Sequence, residues 1–135
     1  MSGFFTLFEG ANDADEFAVR IGKREQVWAV SGVGLVHTSC LRLHLPRVVV
    51  VQLGLRVERK AFSRVTPKGR EYLDRACDVR ITLCGRSAVF TAVVEPFADV
   101  TAIGRMVLTK LDLIEDRDRR LLIPRDAQGI LTEIE

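Results

Sequence analysis

The strongest constraint on this chain is its punctuation. Apolar, β-prone stretches recur at 4–9, 17–21, 26–36, 57–65, 70–73, 79–83, 87–94, 121–123 and 130–134. Each is short, and turn-forming residues close most of them: 10–15, 22–25, Thr66-Pro67-Lys68-Gly69, Cys84-Gly85-Arg86, 96–99 and 116–120. In the second stretch Phe17, Val19 and Ile21 alternate onto one face, as a half-buried strand requires. In the turn at 66–69, proline presets φ and glycine accepts positive φ, so the flanking stretches form a hairpin. A second hairpin is expected around Gly85. Gly32 and Gly34 lie inside the 26–36 stretch, where interior glycine signals a bulge or a close backbone approach. Many short strands separated by turns indicate an all-β barrel or sandwich. The 135 residues suit one domain, 1–135.

Two places break the strand pattern. Residues 105–113 put Met106, Val107, Lys110 and Leu111 at helical spacing, which predicts one short helix near the C-terminus. After Pro46 the sequence runs Arg47-Val48-Val49-Val50-Val51-Gln52-Leu53-Gly54-Leu55. Four valines favour a strand on propensity. Proline at the start and glycine just past the end favour a short helical piece, which is the reading adopted. Ala102-Ile103-Gly104 reads as a brief apolar strand ended by glycine.

Composition removes several function classes. The chain is 47% hydrophobic with 20 basic and 18 acidic residues, a net charge of +2. Arginine is spread along the chain without a basic stripe, so no nucleic-acid partner is expected. The longest weakly polar run, 27–36, falls far short of the roughly 20 residues a membrane helix needs, so no membrane partner is expected either. The first residues lack a basic n-region, so no signal peptide is read. Three cysteines, Cys40, Cys77 and Cys84, cannot all pair within one chain, and no Cys-x-x-Cys occurs. This favours a reduced, cytoplasmic setting and argues against a zinc ribbon.

Both histidines and one cysteine fall within 35–46, where an apolar strand ends in His37-Thr38-Ser39 and the chain re-enters an alternating stretch that stops at Pro46. His37, Cys40 and His44 are metal-ligand types. In an extended strand, however, residues three apart point to opposite faces. No metal or other cofactor is therefore expected. Cys40 with a histidine base is a nucleophile in kind, but a buried cysteine acting as a small hydrophobe fits the apolar context better.

The order of these pieces resembles the retropepsin-like aspartic proteases, especially their small bacterial single-domain members. In that family a strand ending Leu-Val leads into Asp-Thr-Gly-Ala. Here Leu35-Val36 leads into His37-Thr38-Ser39-Cys40, followed by Leu45-Pro46 and Gln52-Leu53-Gly54-Leu55. Pro67-Lys68-Gly69-Arg70 stands where the family has its flap turn, and Gly85-Arg86 where it has a Gly-Arg strand pair. Ala102-Ile103-Gly104 matches its hydrophobic-hydrophobic-Gly element, Leu111-Asp112-Leu113 its helix, and Arg120-Leu121-Leu122-Ile123-Pro124 its last strand. The resemblance runs the length of the chain. It implies a retropepsin-like β-barrel, a homodimer whose termini (4–9 and 130–134) interleave, and an extended peptide or protein partner bound beneath the flap. Pro67, Lys68, Gly69, Ile103 and Gly104 are then the substrate-binding positions.

The departure falls on the catalytic motif. His37 stands at the aspartate position and Ser39 at the motif glycine, and the chain contains no Asp-Thr-Gly or Asp-Ser-Gly. Aspartic proteases place two carboxylates so close that they share one proton and activate water. Two imidazoles do not reproduce that pair. Ser39 replaces a residue that tolerates positive φ, so a strained or altered turn is expected. In the family, the threonine matched by Thr38 hydrogen-bonds across the dimer axis, which implies that assembly is kept. His37, Thr38 and Ser39 are thus the degenerate catalytic position. Three readings follow: a degenerate retropepsin-fold binding protein, a peptidase with altered chemistry at His37, or a β-barrel interaction module unrelated to proteases.

Overall fold

The structure, a computed structural model, describes residues 15–24, 29–37 and 39–125. The expected strands at 4–9 and 130–134, together with Trp28 and Thr38, lie outside the described residues. Seven strands form one sheet: β1 (Asp15–Lys23), β2 (Ala29–Val36), β3 (Leu43–Pro46), β4 (Val57–Thr66), β5 (Gly69–Leu83), β6 (Arg86–Glu95) and β7 (Thr101–Ile103). Two more, β8 (Leu113–Asp116) and β9 (Leu121–Pro124), make a separate hairpin.

The large sheet runs β1-β2-β7-β3-β6-β5-β4, and β1 also pairs with β5, which closes it into a barrel. The register is Val19 opposite Gly32 on one side of β1 and Ile21 opposite Ile81 on the other. β5 is long enough to serve two neighbours along one edge: its first half pairs with β4, and its second half with β1. Residues 70–73 and 79–83 therefore belong to a single strand. The alternation is interrupted because the β5–β6 register shifts between Ala76 and Val79, where Asp78 takes φ +55°. Aspartate is among the few residues other than glycine that visit this region readily. Beyond the bulge, Val79, Ile81 and Leu83 point inward and Asp78 and Arg80 outward.

The core is aliphatic. Val19, Ile21, Val36, Leu43, Leu45, Ile81, Val94, Ile103 and Val107 are all buried in one cluster. Burying each such side chain contributes roughly 1.5–3 kcal/mol.

Among the described residues two short helices pack against the barrel, the short helical piece read after Pro46 and the late helix expected near the C-terminus. The first, α1 (Arg47–Leu53), carries the four valines. Pro46 precedes it, and Gly54 follows with φ +63°, its N–H donating to Val51 O while Leu55 N donates to Val50 O. These caps override the strand propensity of valine. Val50 and Leu53 are buried, whereas Val48 and Val51 face solvent. The second, α2 (Arg105–Leu111), buries Val107, Leu108 and Leu111. It stops before Leu113 because Asp112 turns left-handed at φ +56°, which releases Leu113 to begin β8. Among the described residues no helix is long and apolar enough to cross a membrane.

Candidate functional site

Strand β7 is the key to the site. It lies between β2, with which it runs parallel, and β3, which it meets antiparallel at His44 opposite Ala102. The loop joining β2 to β3 must therefore pass over the end of β7, and that loop begins at His37. His37 N donates to Ile103 O at 3.0 Å, and Cys40 N donates back to His37 O at 3.0 Å. Arg105 N then donates to Cys40 O and Met106 N to Leu41 O, each at 2.9 Å. The first turn of α2 is thereby fastened to the loop.

Gly104 permits this approach. A Cβ there would lie 2.5 Å from both the Leu41 carbonyl carbon and the Arg42 carbonyl oxygen, closer than real Cβ atoms come to backbone. Its φ is −89°, so space and not conformation demands the glycine. Gly34 serves the same crossing from β2, since a Cβ on it would lie 2.7 Å from Ile103 Cδ1. Of the positions singled out from sequence, His37, Ser39, Ile103 and Gly104 are thus gathered at one crossing.

His37 is buried and Ser39 exposed. His37 Nδ1 and Ser39 Oγ share a hydrogen bond of 2.6 Å, so hydroxyl and imidazole form one polar unit at the loop. Cys40, beside them, is buried, with its thiol against Arg42 O at 3.5 Å. Burial pushes that thiol up to about 11, so it stays protonated at neutral pH and is a poor nucleophile. Cys77 and Cys84 are also raised, chiefly by burial.

His37, Cys40 and His44 do not come together as a ligand set. Among the described residues no cluster of three or more histidine, cysteine, aspartate or glutamate side chains could hold a metal ion. His44 points elsewhere, where its Nδ1–H donates to Glu95 Oε2 at 2.8 Å. Glu95 ends β6 and is 3% exposed, a buried carboxylate that follows the apolar run Ala92-Val93-Val94. Arg64, on β4, donates to both Glu95 oxygens, at 2.8 and 3.1 Å, and its Nε donates to Glu71 across the hairpin at 2.9 Å. Burial alone would favour the neutral Glu95. The hydrogen bonds from His44 and Arg64, with the Arg64 charge, outweigh it and hold the carboxyl below its ordinary range. Sequence reading missed Arg64 and Glu95. A lone glutamate closing Ala92-Val93-Val94 was the available signal.

The β4–β5 hairpin ends in Thr66-Pro67-Lys68-Gly69. Gly69 takes φ +120°, Lys68 N donates to Thr66 Oγ1 at 3.2 Å, and Thr66 Oγ1 donates to Gly69 O at 2.9 Å. Pro67, Lys68 and Gly69 are all exposed, as are Val65 and Tyr72 on the limbs behind them. Apolar side chains are therefore exposed on the limbs behind this tip.

The arrangement of strands as a whole is similar to that of a solved structure. EIAV protease, solved in complex with the inhibitor HBY-793, matches with a TM-score of 0.57, covering 73% of this chain and 88% of that one at 19% identity. The chain has a retropepsin-like fold. No protein-family model matches the sequence, and no curated protein does. The residue that begins the β2–β3 loop of this fold is His37.

Proposed function

We propose that residues 1–135 form a single retropepsin-like domain that assembles as a homodimer, binds an extended peptide or protein segment, and lacks aspartic-protease chemistry. The observation that carries this reading is His37. It occupies the loop fastened to Ile103 and α2, and it is an imidazole where proton sharing by two carboxylates is needed. Pro67, Lys68 and Gly69 are the proposed partner-binding tip, with Ile103 and Gly104 beneath. An added strand would gain main-chain bonds there and find specificity in side-chain contacts. The homodimer draws support from the resemblance to retropepsins and from the β-prone composition at 4–9 and 130–134, of the kind that invites aggregation when left unpaired. A reducing, cytoplasmic setting is supported by three free thiols.

A second reading, a residual peptidase with altered chemistry, draws on the 2.6 Å contact between His37 and Ser39. A serine hydroxyl beside an imidazole is the elementary unit of an activated nucleophile. Sedimentation equilibrium with a cleavage assay on an unstructured protein separates these outcomes. A dimer without cleavage is expected. A monomer would remove the dimeric binding protein, and cleavage abolished by His37→Ala or Ser39→Ala would establish the second reading.

A further inference from the structure

A cavity of about 710 Å³ opens between α2, β6 and the start of β3. Its size falls within the roughly 300–1,000 Å³ typical of small-molecule sites. Leu43, Phe90 and Val107 give it a buried apolar floor, while Leu41 and Met106 stand half-exposed at its edge. Three cations also line it, Arg42, Arg105 and Lys110, against one carboxylate, Asp78.

The charges do not balance internally. Asp78 is turned to Arg24, at 3.5 Å. Lys110 sits over the Phe90 ring at 5.0 Å and donates to Val89 O at 2.6 Å. Among the described residues, neither Arg42 nor Arg105 forms an ion pair. The two are close in the backbone, because Arg105 N bonds Cys40 O and Met106 N bonds Leu41 O. Arg42 stacks on Phe62 at 4.9 Å, which leaves its in-plane N–H donors available. Both arginine side chains line the cavity, and a bound anion would offset their charge.

We propose that this cavity binds a small amphiphilic carboxylate. Its apolar body lies against Phe90 and Val107, and its carboxylate is held by Arg42 and Arg105. The planar forks of two guanidiniums match the two oxygens of a carboxylate, and such charge-assisted bonds are the strong ones. Binding of a carboxylate there requires neither a peptide on the hairpin nor chemistry at His37.

The test is calorimetric titration of the full chain with decanoate, using decanol as the uncharged control. Amide NMR shifts locate the site. Decanoate is expected to bind saturably, to shift Val89, Phe90, Thr91 and the α2 amides, and to bind at least about tenfold more tightly than decanol. Arg105→Gln is expected to weaken decanoate about tenfold while leaving decanol unchanged. Met106→Glu, at a half-exposed helical position, sets a carboxylate at the mouth and is expected to repel decanoate without disturbing the fold. Equal affinity for decanol, unchanged decanoate binding in both variants, shifts confined to another face, or no saturable binding would each overturn the proposal.

Discussion

Arg64, on one limb of the β4–β5 hairpin, grips both carboxylate oxygens of Glu95 at the end of β6, at 2.8 and 3.1 Å. His44 on β3 donates to the same carboxylate at 2.8 Å. One buried anion thus ties three strands together, and it holds the hairpin just behind its turn while the tip stays in solvent. Pairs of this kind cost much desolvation to form, and they cost more when one partner is removed, because the survivor is left buried and uncompensated.

Glu95→Gln should therefore destabilise the fold by about 3 kcal/mol. The amide cannot satisfy a guanidinium and an imidazole N–H together as an anion does. Urea denaturation measures the loss, and a change within a few tenths of a kcal/mol would contradict the assigned role. Arg64→Lys should retain only part of the stability, since an ammonium makes no bidentate contact.

The same carboxylate sets an acid limit. Its folded pKa lies below its ordinary 4.5, so the unfolded chain takes up a proton first as pH falls. The contribution of Glu95 is then fully present above about pH 4.5 and is lost as pH drops through the lower folded value. Stability measured between pH 7 and pH 3 should fall in that acid window for the wild type, and less steeply for Glu95→Gln. Parallel curves would rule out Glu95 as a source of the acid sensitivity.

Gly104 and Gly32 make a matched pair. A Cβ at Gly104 meets rigid backbone at 2.5 Å, whereas one at Gly32 meets nothing within 4 Å. Replacing glycine by alanine gains about 0.4–1 kcal/mol through the unfolded chain wherever the site accepts it. Overpacking costs up to about 3 kcal/mol. Gly104→Ala should lose stability by about 2 kcal/mol on balance, and Gly32→Ala should be neutral or slightly stabilising. Melting temperatures of the two variants give the comparison directly.

Much of the barrel was legible because alternation and turn chemistry are local. The hairpins around Pro67-Lys68-Gly69 and Gly85 follow from residues adjacent in sequence, and so does α1, once its proline and glycine caps are set against its valines. The single strand β5 was not legible, because an aspartate bulge at Asp78 shifts the inward face and imitates a strand end. β8 was hidden for a similar reason: Leu113 continues a helical pattern that Asp112 ends. His37, Ile103 and Gly104 were singled out through ordered motifs, and the backbone brings them to one crossing. The Arg64–Glu95–His44 cluster was not, since its bonds span 31 and 51 residues and depend on which strands become neighbours.

The hairpin should move in two regimes. Arg64 and Glu71 lie behind the tip and are held by ion pairs, while Pro67, Lys68 and Gly69 are exposed and bonded only within the turn. Amide relaxation should give lower order parameters at Lys68 and Gly69 than at Arg64 and Glu71 in the free protein. Uniformly rigid values along the hairpin would assign it a purely structural role.

The decisive test of the chemistry is at position 37. The wild type should show no pepstatin-sensitive proteolysis, because imidazole cannot take the place of a carboxylate that shares a proton with its twin. The double variant His37→Asp with Ser39→Gly recreates the Asp-Thr-Gly sequence on the loop that Ile103 and α2 already hold. It also removes the 2.6 Å His37–Ser39 contact. Two carboxylates brought together by a homodimer would raise one another's pKa, so any gained cleavage should be acid-optimal and blocked by pepstatin. Ser39→Ala supplies the opposing control. If the wild type cleaves peptides and this variant does not, the serine hydroxyl beside His37 is the nucleophile, and the chain is a peptidase of altered chemistry instead of a binding protein.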